Sequence, residues 1–133
     1  MKPADFRTLL LAQPGLSAVV GARIFPVKAR PETWDSDSQR PCLIYRVDGV
    51  GRSSTFCATS GLVAESVAVD CYARSYDGAV DLALLVKQVI DFSGQVGETL
   101  FNAIRLESEF DLMDLEPGLF RRALSFTIWN RSV

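Results

Sequence analysis

The chain contains no histidine. That removes the side chain whose ordinary pKa lies nearest neutrality, and with it Ser-His and Cys-His nucleophile pairs. Acid–base chemistry would have to run on carboxylates, lysine or a hydroxyl. Cysteine is scarce: Cys42, Cys57 and Cys71 are odd in number and far apart, with no Cys-x-x-Cys among them. Neither a disulfide framework nor a zinc site fits that spacing. Cys42 and Cys71 fall in apolar strand patterns and are expected as buried thiols, in a chain made in reducing cytosol. No apolar run approaches the roughly 18 residues of a membrane span. The opening "MKPADFRTLLLAQPG" is broken by Asp5 and Arg7 and reads as an amphipathic helix, not a secretory signal. A basic excess is missing too, since 14 Lys and Arg stand against 16 Asp and Glu. A surface built to grip phosphates carries the opposite balance.

What is present suits one domain over residues 1–133. Hydrophobic residues make up 48% and charged residues 23%, an ordinary globular balance. A chain of this size buries roughly two thirds of its unfolded surface and needs no staple. Residues 3–12 predict a first helix, with Phe6, Leu9 and Leu10 on one face and Pro14-Gly15 as its stop. "LSAVVGARIFP" predicts an apolar turn leading into a brief strand at Arg23–Phe25. Residues 27–41 are polar, aperiodic and bounded by prolines, the pattern of a long loop. Trp34 is its one large apolar group. It either folds back on the domain or docks on a partner.

"PCLIYRVDGVG" (41–51) and "LVAESVAVDCYAR" (62–74) alternate as strands, joined by a connection that carries Phe56. In the second, Val63, Val67, Val69 and Cys71 share one face, and Ser66, Asp70, Tyr72 and Arg74 the other. Residues 75–94 predict the main helix, with Leu82, Leu85, Val86, Val89 and Ile90 on its stripe, Ser75 or Asp77 as cap, and Gly94 as its end.

Residues 102–131 predict a hairpin of two long strands. The returning strand puts Leu124, Phe126 and Ile128 on one face, and Arg121, Ala123, Ser125, Thr127 and Trp129 on the other. Ile104, Leu106, Phe110 and Leu112 are expected to face the core from the first strand. A two-residue Pro117-Gly118 loop would set Asp111 against Leu124. An odd loop, or a one-residue bulge, would set Leu112 against Leu124, Phe110 against Phe126 and Asp114 against Arg122. A slip of one residue inverts every side chain, so burial of the core face favours the odd loop. Together the elements predict an α+β fold: an antiparallel sheet of four to five strands with two helices packed on one face.

Candidate chemistry is thin. Glu107, Glu109 and Asp111 recur at alternate strand positions, which would put three carboxylates on one face for metal or acid–base work. A solvated outer hairpin face, with Thr127 and Arg131 as neighbours, explains them without chemistry. "DGVGRSS" has two close glycines but no helix after it to cradle a phosphate. Ser53, Ser54 and Ser60 lack a neighbouring base and a nucleophile elbow. Arg121 and Arg122 point to opposite faces; Asp114 and Glu116 account for one as a structural pair. No catalytic residue, cofactor or metal ligand is assigned.

The order of these motifs resembles the tail-completion, or tail-terminator, family of long-tailed bacteriophages and prophages, similar in fold to the lambda-type terminator. The most specific run is Gly118-Leu119-Phe120-Arg121-Arg122 followed by Ser125-Phe126-Thr127-Ile128-Trp129; Arg23-Ile24-Phe25-Pro26 is the second. The resemblance covers nearly the whole chain and departs from the pattern in the long, Asp- and Ser-rich loop of 27–41. It implies a structural protein of the virion, assembled in host cytoplasm as a ring, commonly a hexamer, at the head–tail junction. Its partners would be further copies of itself, the tail tube protein and a head-completion or neck protein. DNA would pass through without specific binding, and no membrane is involved. Candidate contacts with copies or tube are Trp34, Phe56, Arg121 and Trp129. Rival readings are a head-closure or neck adaptor, a minor tail protein, and a carboxylate-dependent enzyme built on Glu107, Glu109 or Asp111.

Overall fold

A strand that buries one face must repeat its apolar residues every second position, and four segments of this chain do so over unusual lengths. The computed structural model describes residues 1–26, 41–54, 59–113 and 119–133, with side chains outside 50–54, 59–61 and 113. Two helices open it, α1 at Pro3–Leu11 and α2 at Leu16–Val20. Three strands follow, β1 at Ile24–Pro26, β2 at Cys42–Ser54 and β3 at Thr59–Ala73. Then come α3 at Tyr76–Val86, a 3-10 turn at Lys87–Asp91, and β4 at Gly94–Val96. The long hairpin closes the chain, β5 at Thr99–Met113 and β6 at Phe120–Ser132. The strands form one sheet in the order β1-β2-β3-β6-β5-β4.

The α+β class holds, with differences in the count. Among the described residues there are six strands and three α-helices, against the expected four to five and two. The sheet is mixed, because β1 runs parallel to β2. Strands of three residues such as β1 and β4 are too short to show an alternation, and α2 is a five-residue helix that reads in sequence as an apolar turn. The main helix is also shorter than expected, since its last turns tighten into the 3-10 segment. Ser75 is its N-cap, its hydroxyl accepting a hydrogen bond from the Gly78 amide at 3.0 Å.

All three helices pack on the same sheet face. Phe6, Leu9 and Leu10 of α1, Leu16 and Val20 of α2, and Leu82, Ala83 and Val86 of α3 share one core cluster. The sheet contributes Leu43, Tyr45, Val67, Val69, Phe101, Ile104, Leu124, Phe126 and Ile128. Each such large side chain, fully buried, stabilises the fold by about 1.5–3 kcal/mol. The position of β6 explains why Phe126, Ile128 and Trp129 lie so near the last residue. This terminal strand is central, paired with β3 on one side and β5 on the other.

The hairpin register differs from the expected odd loop. Ile104 lies opposite Ile128 and Leu106 opposite Phe126, as the core face demands. The ladder then shifts at Glu107, so Ser108 faces Ser125, Glu109 faces Leu124 and Phe110 faces Ala123. The extra residue sits in mid-strand and not at the turn. A bulge rotates everything beyond it by one side-chain position. Phe110 and Leu112 therefore leave the core face, and Glu109 and Asp111 enter it. Arg122 pairs with Asp111, not Asp114; Asp114 and Glu116 lie outside the described residues.

Polar contacts tie α1 to the sheet. Asp5 accepts hydrogen bonds from the Glu98 amide at 3.2 Å and the buried Thr99 hydroxyl at 2.7 Å. Gly97, at φ 58°, turns the chain tightly there, and a Cβ on it would collide with the Asp5 carboxylate. The amino group of Met1 pairs with buried Glu65 at 2.7 Å.

Burial pushes the Cys42 thiol up to about 12, and the Cys71 thiol is raised further by burial and by nearby Asp70. Since the thiolate is the reactive form, both stay unlabelled by a maleimide at pH 8 in the folded protein. Both label in denaturant. Mass spectrometry of labelled peptides checks this, and rapid native labelling of either would contradict the packing.

Candidate functional site

The bulge at Glu107 gives the outer half of the hairpin two different polar surfaces. On the helix side, Glu109 and Asp111 meet a hydroxyl from α3 and cations from the 3-10 turn and β6. Lys87 Nζ donates to Glu109 Oε1 at 2.9 Å, and Arg122 Nε donates to Glu109 Oε2 at 2.6 Å. Arg122 Nη1 donates to Asp111 Oδ1 at 2.7 Å, and the Tyr76 hydroxyl donates to Asp111 Oδ2 at 2.9 Å. Tyr76 also stands edge-on to Phe120, with ring centroids 6.2 Å apart. The network fastens the helix layer to the projecting hairpin. Burial alone would raise the Glu109 carboxyl, but hydrogen bonds from Arg122 and Lys87 outweigh it and hold its pKa below the ordinary value. Arg122 is raised in return, chiefly by its bond to Glu109.

Among the described residues the opposite face carries no helix. Its middle is floored by small residues, Ala68 of β3, Ala123 and Ser125 of β6, and Ser108 of β5, which leave a depression of about 200 Å³. Asp70 lies at one side, only 4% exposed. Arg46 Nη1 donates to it at 3.2 Å, and Arg121 Nη1 stands 3.9 Å away. Arg121 also donates to the Tyr72 hydroxyl at 3.1 Å. At the other side is Phe110, 49% exposed, turned there by the bulge. Toward the near end Cys42, Ile44 and Tyr72 form a second small apolar cluster, covered by Phe25 and Leu119.

The sequence candidates scatter across this picture. Arg121 and Trp129 both lie on the face away from the helices, as the alternation of β6 requires. Arg121 is engaged with Asp70 and Tyr72. Trp129 is partly buried, with the Arg105 guanidinium 5.2 Å above its ring. Trp34 and Phe56 lie outside the described residues. The acidic ladder does not share a face: Glu109 and Asp111 turn to the helices, while Glu107 stays exposed. Hydrogen bonds from Thr127 and Arg105 lower the Glu107 pKa. Tyr76, Lys87 and Phe110 were missed as members of these surfaces. Their sequence signal was weak, because the first two reach the hairpin only through tertiary packing and Phe110 depends on the bulge.

Among the described residues no three His, Cys, Asp or Glu side chains gather to hold a metal ion. No described helix is long and apolar enough to cross a membrane. The particular family follows from comparison: the model of the tail completion protein gp17 family matches residues 4–131, and the chain belongs to that family. It is a structural component of a bacteriophage tail and not an enzyme. Among solved structures it is similar in fold to a chain from the virion of a native gene transfer agent particle. That match has a TM-score of 0.67 and 12% identity, covering 96% of this chain and 92% of the other. Comparison with curated proteins returned no match.

Replacing Glu109 with Gln strips the charge from a site that two cations address. The substitution is expected to lower stability at pH 7 by about 1–3 kcal/mol. Because the folded Glu109 pKa is depressed, its contribution is present above the ordinary carboxyl value, about 4.3, and fades as pH falls through the lower folded value. Urea unfolding at pH 7 and at pH 3 should therefore show a gap between wild type and Glu109→Gln that narrows in acid. An equal gap at both pH values would contradict the assignment.

Proposed function

We propose that the protein is a tail terminator: copies close into a ring, six in number, on the head-proximal end of the tail tube. The ring stops tube polymerisation and offers the surface to which the filled head joins through a head-completion or neck protein. Family membership over residues 4–131 carries this reading. The neighbouring fold, taken from a phage-like virion, is consistent with it.

The physical mechanism is head-to-tail association that closes on itself. One end of such a ring repeats the tube's stacking surface and the other does not, so growth stops. Arg121 and Trp129, on the face away from the helices, are proposed contacts with a neighbouring copy or with the tube, as are Trp34 and Phe56. DNA passes through the closed ring without specific binding. The net charge of −2 suits that passage, since a basic lumen would hold a passing polyanion.

The test is polymerisation of tail tube protein with and without the purified chain. The expected result is tubes of arrested length, each carrying one ring at one end by electron microscopy. Tubes that reach the same lengths in both reactions would overturn the reading.

A further inference from the structure

The two shortest strands cover opposite ends of the sheet. β1 lies along Leu43–Tyr45 of β2. β4 lies along Thr99–Phe101 of β5. Among the described residues no strand pairs with the outer edge of β2 beyond Tyr45, or with that of β5 beyond Phe101. The open lengths are 46–54 and 102–113. An antiparallel edge turns the N–H and C=O of every second residue outward, and such a row is a template for another strand.

Direction favours joining the two unlike edges. β2, β3, β6 and β5 alternate in direction, each antiparallel to the next, so β5 runs antiparallel to β2. Where copies repeat by rotation about an axis along the strands, the next copy's β2 arrives antiparallel to β5. The alternation then continues unbroken from one copy to the next.

Resting on the ring reading above, we propose that the ring is joined by strand addition. Residues 46–51 of one copy pair antiparallel with residues 102–108 of the next, making one continuous sheet; the β2-β3-β6-β5 ladders set Arg46 level with Ser108, and Leu43–Tyr45, covered by β1, level with residues 109–111. β1 and β4 confine the pairing to the lengths they leave open. Register shifts interrupt both edges, at Asp48 and between Arg52 and Ser54 in β2, and at Asn102 and Glu107 in β5, and interrupted edges discourage pairing with arbitrary strands.

Amide hydrogen exchange on the full chain tests this, in dilute monomer and in the ring assembled at high concentration or on tube protein. Every second amide within 46–51 and 102–108 is expected to slow by about 100-fold on assembly. The amides between them, already held by β3 and β6, are expected to stay unchanged. If the ring assembles and these amides exchange as in the monomer, strand addition is wrong and the ring reading stands. If they are already slow in dilute monomer, the edges are covered within one chain and the proposal fails. If no ring forms even on tube protein, both fall.

Discussion

One extra residue in β5 decides what each surface of the hairpin is for. The side-chain period of a strand is two, so a strand that began with its apolar residues inward would keep them inward along its whole length. β5 shifts once at Asn102 and then keeps its apolar residues inward from Ile104 to Leu106, the latter opposite Phe126. At Glu107 the ladder slips by one residue. Beyond it the strand turns carboxylates toward the helices and apolar groups away from them.

Both consequences bear on assembly. Inward Glu109 and Asp111 meet Lys87, Arg122 and Tyr76, so a hairpin that extends past the core is still held against α3. Outward Phe110 and Leu112 border the depression on the open face beside Asp70. An exposed ring 49% accessible is an ordinary feature of a monomer when isolated. A tail completion protein needs rigid, specific contact and no bond chemistry, and its carboxylates are spent on cations within the fold.

Much of the architecture was legible because it rests on periodicity. β2, β3 and β6 each carry enough alternating residues to reveal which face is buried, and Val67, Leu124 and Phe126 lie where that alternation puts them. The stripe of α3 was equally clear, with Leu82, Val86 and Val89 buried. The parallel pairing of β1 was not, because three residues specify no partner and no direction. β4 was hidden for the same reason. The bulge was legible only as a possibility. Burying Phe110 and Leu112 argued for one resolution, and the ion pairs of Glu109 and Asp111 with tertiary partners decided for another. Of the candidate contacts, the shared face of Arg121 and Trp129 could be read from alternation. The engagement of Arg121 with Asp70 and Tyr72 required the β3–β6 register.

The slip at Glu107 can be observed directly in solution by NMR, through cross-strand proton contacts along β5 and β6. The account requires Phe110 to face Ala123 and Glu109 to face Leu124, with the Phe110 ring giving no contacts to the methyls of Leu124 or Ile128. A Phe110 ring found on the core side, opposite Arg122 and beside Leu124, would mean that the strand runs without its extra residue, and the division of the hairpin into a clamped face and an open face would be wrong.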